Sequence, residues 1–287
     1  MNKLLLIDGH NLLFQMFYGM PNKIIGKDGK SIEGIWGFTG ALLKIIKKVE
    51  PTHILVIFDG EQELLRNKED ENYKKNRMSF ENVEAEKNPF SIFPDIKRVL
   101  DTLNISYFET TDGYETDDYI KEYCKIYEKD YEIIISSFDY DFISLVNKHV
   151  TLLTYRGTAT TLYTPEKVLS RWKIKPEFFA DYKALVGDSS DNIAGIPRIG
   201  PKMAATLINE YGTVEKILQN RENIKKDNIR LTLEIFEHDL LHNIKLIRLE
   251  GSNQIPITIE KLSYQKKEKK TKEILMELDL LEQTITN

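Results

Sequence analysis

Three branched apolar runs in this chain each end in a carboxylate: LLLID at Asp8, ILVIFD at Asp59, and EIIISSFDYD at Asp139 and Asp141. Runs that are apolar at every position suit strands covered on both faces, and between them apolar residues recur at helical spacing. That alternation is the signature of an α/β fold with a mainly parallel sheet. Strands are expected at 4–8, 52–59, 106–109, 131–137 and 150–155, with helices at 38–48, 94–103 and 114–128. Pro94 opens the second of these helices in a favoured first-turn position.

The stretch 60–88 breaks the pattern, being dense in both signs of charge and poor in branched apolar residues. Connections in such folds usually take a few residues, so a long one points to function or mobility. From Pro165 the strand signals fade, and helices are expected at 165–172, 176–186, 201–211 and 230–249, a helical second lobe. A lysine-rich linker at 263–272 precedes one last apolar periodic segment at 274–281. Cys124 is the single cysteine, so no intrachain disulfide or thiolate metal site can form, and a reducing cytoplasmic setting is the simplest reading. No apolar run approaches the roughly 20 residues that cross a bilayer.

In an open α/β sheet the ligand crevice lies at the carboxyl ends of the strands, so the terminal acids should converge there. They are Asp8, Asp59, Glu115, Asp117 and Asp118 of GYETDD, Asp139 and Asp141. Like charges at close range take up protons or gather cations, and this cluster is most economically explained by bound divalent ions. An all-oxygen ligand set without paired cysteines or histidines points to Mg²⁺ or Mn²⁺ rather than zinc. Asp188 and Asp191 of LVGDSSDN could close the site from the second lobe, and so many acids favour two metals over one. Singly, each acid has an ordinary explanation: a strand-end Asp caps the next helix, and an acidic helix start suits the helix dipole. The weight comes from the count.

Two further segments carry signals. GIPRIGPKMAATLI places Gly195 and Gly200 around a tight turn, with Pro201 at a helix start and Lys202 one step in. A helix-hairpin-helix of this kind presents backbone N–H groups and a lysine to phosphate oxygens without reading bases. LLRNKEDENYKKNR sets Arg66, Tyr73, Lys74, Lys75 and Arg77 inside the long connection, cations and an aromatic beside an acidic site, as a polyanion lying between them would require. The net charge of −5 argues against a simple basic nucleic-acid binder. Setting nine site acids aside leaves a net +4, a modestly cationic remainder.

LLLIDGHNLLF, GFTGALLKII, THILVIFDG, YKKNR, GYETDDYI, DYDFISLV and LVGDSSDNIAGIPRIGPKMAATLI, in this order, resemble the 5′-nuclease (flap endonuclease) superfamily. Within it they are most similar to the bacterial 5′–3′ exonucleases that also form the amino-terminal domain of family-A DNA polymerases. The resemblance implies a PIN-like nuclease core over 1–164, with a helical arch at about 60–93. It also implies a helical DNA-binding lobe over 165–250 with a helix-three-turn-helix, and a C-terminal extension over 251–287. It implies that Asp8, Asp59, Glu115 and Asp117 bind a first metal, and that Asp139, Asp141 and Asp191, with Asp188 and Asp118 close by, surround a second. Lys74 and Arg77 would polarise the scissile phosphate, with Tyr73 and Arg66 beside them. Gly195, Ile199, Gly200 and Lys202 would grip duplex DNA, with a K⁺ ion held nearby.

The expected activity is two-metal, structure-selective hydrolysis of 5′ flaps, 5′ ends and junctions in replication and repair, with RNA primers as further candidate substrates. The resemblance implies a stand-alone cytoplasmic monomer, associated with the nucleoid through DNA and cooperating with a separate polymerase. This chain departs from the family pattern at Tyr140, where Lys is common, at Ser137-Phe138, in place of a short Thr-Gly turn, and at Leu65-Arg66, in place of Phe-Arg. The rival readings are a non-catalytic DNA-junction-binding protein and a PIN-type ribonuclease.

Overall fold

The computed structural model describes residues 2–60, 70, 74–75, 80 and 82–282. Strands β1 (Asn2–Asp8), β2 (His53–Phe58), β3 (Ser106–Glu109), β4 (Tyr131–Ser136), β5 (Val150–Thr154) and β6 (Thr161–Tyr163) form one sheet in the order β3-β2-β1-β4-β5-β6. The first five are parallel; β6 returns antiparallel to β5. The chain steps outward from β1 to β3 and then comes back to β4 on the other side of β1. This is the switch point at which such sheets open a crevice beyond their carboxyl ends.

The branched runs are buried on both faces, as their composition requires. Leu5 and Ile7 of β1 pack with α1 (Gly9–Gly19), α2 (Glu33–Val49) and α3 (Phe93–Leu103). Leu4 and Leu6, pointing the other way, pack with α4 (Thr116–Tyr127) and continue into the core of the second lobe. That lobe holds α5 (Pro165–Trp172), α6 (Phe179–Val186), α7 (Pro201–Tyr211), α8 (Val214–Gln219), α9 (Asp227–Ile235) and α10 (Glu237–Ile247). The last helix, α11 (Thr271–Glu277), turns back to the first face, where Ile274 and Leu275 are buried with α2 and α3. Among the described residues no helix is long and apolar enough to cross a membrane.

Several elements differ from the sequence expectation. Helix α1 follows β1 without a gap, so its apolar run merges with the strand's in the sequence, and β6 has three residues, too few to show a period. The stretch 230–249 is two helices broken at Phe236, whose backbone leaves the helical region at ψ 22°. The lysine-rich segment is a docked strap: the Tyr264 N–H donates to the Thr52 carbonyl at 2.8 Å and the Lys267 ammonium to the Thr102 carbonyl at 2.7 Å. Cys124 lies in the core, where burial pushes its thiol up.

Candidate metal centre

Four turns at the carboxyl end of the sheet set the acids. Asp8 ends β1 and caps α1, its Oδ1 accepting the Asn11 N–H at 3.1 Å and its Oδ2 the Ser137 hydroxyl at 2.8 Å. Ser137 follows β4, so this bond ties together the two strands that flank the switch point. A Cβ at Gly9 would lie 2.4 Å from the Phe58 ring, so the missing side chain lets the first turn close against the end of β2. Asp59, just past β2, accepts the Thr116 N–H at 2.8 Å, which draws it to the start of α4. Its own N–H donates to His10 Nδ1 at 3.2 Å. Asp139 caps the short turn of 140–145 by accepting the Asp141 N–H at 2.9 Å.

Asp8, Asp59, Glu115, Asp117 and Asp139 line one cavity of about 1090 Å³ together with Lys74. The Lys74 ammonium pairs with Glu115 and keeps only 8% of its side chain exposed. Its backbone N–H donates to the Asp191 carbonyl at 3.2 Å, tying the long connection to the second lobe. Burial and the nearby Asp59 charge push Asp8 up to about 7. Burial and Asp139 likewise raise Asp117 well above the carboxylate range. Burial works against ionisation of Asp59, yet His10, the Thr116 N–H and the Lys74 charge hold its carboxyl well below the usual range.

A second group lies deeper. Carboxylate oxygens of Asp141, Asp188 and Asp191 come within 4.8 Å of one another, all three buried. The Lys183 ammonium, from α6, sits between Asp141 and Asp188 and pairs with both. Burial and Asp139 push Asp141 up to about 7 against the pull of Lys183. Burial opposes ionisation of Asp188 too, but Lys183 and the Ser190 donors hold it below its ordinary value. Asp139 therefore acts electrostatically on both groups.

The ninth acid also holds a backbone N–H, as Asp8, Asp59 and Asp139 do. Asp118 is buried and accepts the Glu115 N–H at 3.1 Å, completing a capping box at the start of α4. With Asp118 the carboxylates number nine, crowded enough to retain protons and already holding two ammonium groups as counter-charges. That donor set fits hard divalent cations.

In the second lobe, a Cβ at Gly195 would lie 2.3 Å from the Val186 carbonyl oxygen, so the turn packs directly on the end of α6. Asn243 of α10 holds this arrangement, its Nδ2 donating to Ala184 O at 3.1 Å and Ala194 O at 2.8 Å. Ile199 is buried and its N–H donates to Ile196 O at 3.1 Å, which makes it an anchor of the turn. Gly200 occupies the capping position of α7, and both it and Lys202 are exposed. Arg66, Tyr73 and Arg77 lie outside the described residues. Sequence reasoning missed Lys183, Ser137, Asn11 and Asn243, polar residues in apolar helical or turn contexts; the nearness of Lys183 to Asp188 was the one available signal.

Residues 3–173 match the family model described as "5'-3' exonuclease, N-terminal resolvase-like domain", and residues 174–270 match "5'-3' exonuclease, C-terminal SAM fold". The 5'-3' exonuclease of Aquifex aeolicus is 32% identical over 285 residues, which cover 98% of this chain and 93% of that protein. DNA polymerase I of Bacillus subtilis is 33% identical over 267 residues, 92% of this chain and 29% of the polymerase, so the chain spans less than a third of that relative. Among solved structures, the T5 D15 protein co-crystallized with metal ions is similar with a TM-score of 0.71 at 22% identity, over 86% of this chain and 90% of that one. The catalytic core of Rad2 in complex with DNA substrate gives 0.57 at 14% identity, over 88% and 80%. These two likenesses concern the fold, a mostly parallel sheet of resolvase-like PIN type with a helical SAM-like part. With both family models matched in order along the chain, and a relative of similar length alike over nearly all of it, this protein belongs to the 5'-3' exonuclease family.

Proposed function

We propose that the chain is a structure-selective 5′–3′ exonuclease and 5′-flap endonuclease that hydrolyses DNA phosphodiesters with two divalent ions, Mg²⁺ or Mn²⁺. The observation that carries this reading is a cavity lined by five carboxylates, Asp8, Asp59, Glu115, Asp117 and Asp139, with a buried cluster of three more, Asp141, Asp188 and Asp191, within electrostatic reach of Asp139. Asp8, Asp59, Glu115 and Asp117 would hold one ion, and Asp141, Asp188 and Asp191 the other, with Asp139 acting on both. When bound, paired divalent ions generate a nucleophile at neutral pH and stabilise the leaving oxygen.

The chain's own groups do the rest. Lys74, seated against Glu115 at the cavity, would meet the charge of the scissile phosphate. Arg77, Arg66 and Tyr73 are assigned to the same long connection, read as an arch over 60–93. The exposed Gly200 and Lys202 would face duplex phosphates, with a K⁺ ion at that turn. We read 1–164 as the nuclease core, 165–250 as the DNA-binding lobe and 251–287 as an extension. In this reading the protein works as a cytoplasmic, nucleoid-associated monomer alongside a separate polymerase and also accepts RNA primers.

The test is cleavage of a 5′-flapped DNA in Mg²⁺ and in chelator. Product that depends on the divalent ion, with cutting near the junction, is the expected result. Equal product in both conditions, or none in either, overturns the reading. Matched RNA and DNA flaps separate it from a ribonuclease.

A further inference from the structure

The cavity that receives the acids is far larger than a phosphate needs, at about 1090 Å³, and its remaining wall is aromatic and cationic. Phe138 and Arg156 stand on that wall, the Arg156 guanidinium carbon 4.9 Å from the centroid of the Phe138 ring. Neither is a core residue: Phe138 is half-buried and Arg156 exposed. A guanidinium laid on a phenyl ring beside a phosphate site offers both a π surface and a positive charge.

Helix α1 builds this pair. The Phe138 N–H donates to Asn11 Oδ1 at 2.9 Å, and Gln15 Nε2 donates to the carbonyl of Tyr155, the neighbour of Arg156, at 2.6 Å. Asn11 and Gln15 are one turn apart on the helix that Asp8 caps, so a single element fixes both the platform and the first acid. The residue before Phe138 is Ser137, whose hydroxyl bonds Asp8 at 2.8 Å, a second tie between ring and acid. Asn11 Oδ1 and Gln15 Nε2 are engaged in holding backbone, and what the platform itself offers a base is a π face and a charge.

We propose that Phe138 and Arg156 form a nucleobase-stacking subsite for a nucleotide adjoining the phosphate to be cut. The proposal rests on the nuclease reading for what the acids bind: a phosphate held there brings its own base within a nucleotide's length of Phe138. The subsite is indifferent to base identity, because every base has a π face.

The experiment uses flapped DNAs carrying 2-aminopurine on one or the other side of the cleavage site, titrated with the full chain in chelator. In the wild-type protein one of the two probes is quenched on binding. The quench is lost in Phe138→Leu and restored in Phe138→Trp, and Kd rises roughly 5- to 100-fold in the Leu variant, the range for loss of one stacked base. In Mg²⁺, an abasic nucleotide at the quenched position raises KM for wild type and leaves that of Phe138→Leu unchanged. Equal quenching in wild type and Phe138→Leu, or no quenching of either probe in wild type, overturns the subsite. Absence of Mg²⁺-dependent cleavage by wild type overturns the nuclease reading instead, and the fluorescence result still decides the subsite.

Discussion

The two carboxylate groups meet the same electrostatic difficulty in different ways. Asp8, Asp59, Glu115, Asp117 and Asp139 face an open cavity, and their counter-charge, Lys74, comes from the long connection after β2. Asp141, Asp188 and Asp191 are packed within 4.8 Å of one another, and their counter-charge, Lys183, comes from a helix embedded in the second lobe. Each group relieves repulsion in both ways available to it, by acids whose hold on a proton is strengthened, Asp8 and Asp117 in the first and Asp141 in the second, and by one ammonium. The difference lies in what anchors the ammonium, a residue of the long connection in the first group and a packed helix in the second, and in either a divalent ion must displace or share it.

The sharpest way to break this comparison is to remove one acid from each group. Asp117→Asn and Asp191→Asn should each lower kcat by on the order of 10³-fold, the scale of a lost transition-state stabiliser, while still binding flapped DNA. Single-turnover rates check this, and a variant that keeps its full rate removes its group from the reaction.

Next in size is Lys183→Met. With 12% of the Lys183 side chain exposed, its loss leaves Asp141 and Asp188 facing one another without a cation. Stability in chelator at pH 8 should fall by about 3 kcal/mol, the cost of breaking a buried pair from one side, and Mg²⁺ should recover most of it. Urea unfolding with and without the ion measures both. The corresponding Lys74→Met change strips an equally buried pair with Glu115 and should cost a similar amount, again recovered by Mg²⁺.

Acid–base behaviour sharpens the contrast further. Asp8 and Asp141 titrate near 7 in the folded chain against an ordinary 3.8, so the folded state binds their protons more tightly than the unfolded state does. Their contribution to stability without metal is therefore present at low pH and is lost as pH rises from about 4 through about 7, on the order of 1 kcal/mol per pH unit for each group. Melting in chelator should accordingly weaken across that window. Mg²⁺, which needs the deprotonated acids, should reverse the trend, and Asp8→Asn should flatten it.

The smallest effect is expected at Asp118→Ala, which removes half of a capping box. About 1 kcal/mol of stability should be lost, with kcat within a few-fold of wild type. A large loss of metal affinity by calorimetry would place Asp118 among the acids that hold an ion directly.

Much of this was legible beforehand because strands buried on both faces are written as unbroken apolar runs, and the acids that end them must meet at one edge of the sheet. LLLID, ILVIFD and EIIISSFD carry both facts at once. Asp188 and Asp191 were legible through their i, i+3 spacing beside a glycine-rich turn. Asp118 was not separable from Asp117, since a helix start favours acids whether they bind a metal or cap a backbone. Lys183 and the Phe138–Arg156 pair were out of reach for another reason: their surroundings are set by how the second lobe and α1 are placed, which no local period records.

The strap at the end of the chain gives the sheet and the second lobe a further tie. The polypeptide crosses from sheet to second lobe after β6 and returns along Ser252, whose N–H donates to the Asp118 carbonyl at 3.1 Å, and Tyr264, which is bonded to Thr52. The two crossings close a covalent loop around the shared core in which Leu4 and Leu6 run on into the second lobe. Asp188 and Asp191 therefore meet the acids of the sheet across a seam closed both by covalent crossings and by packing.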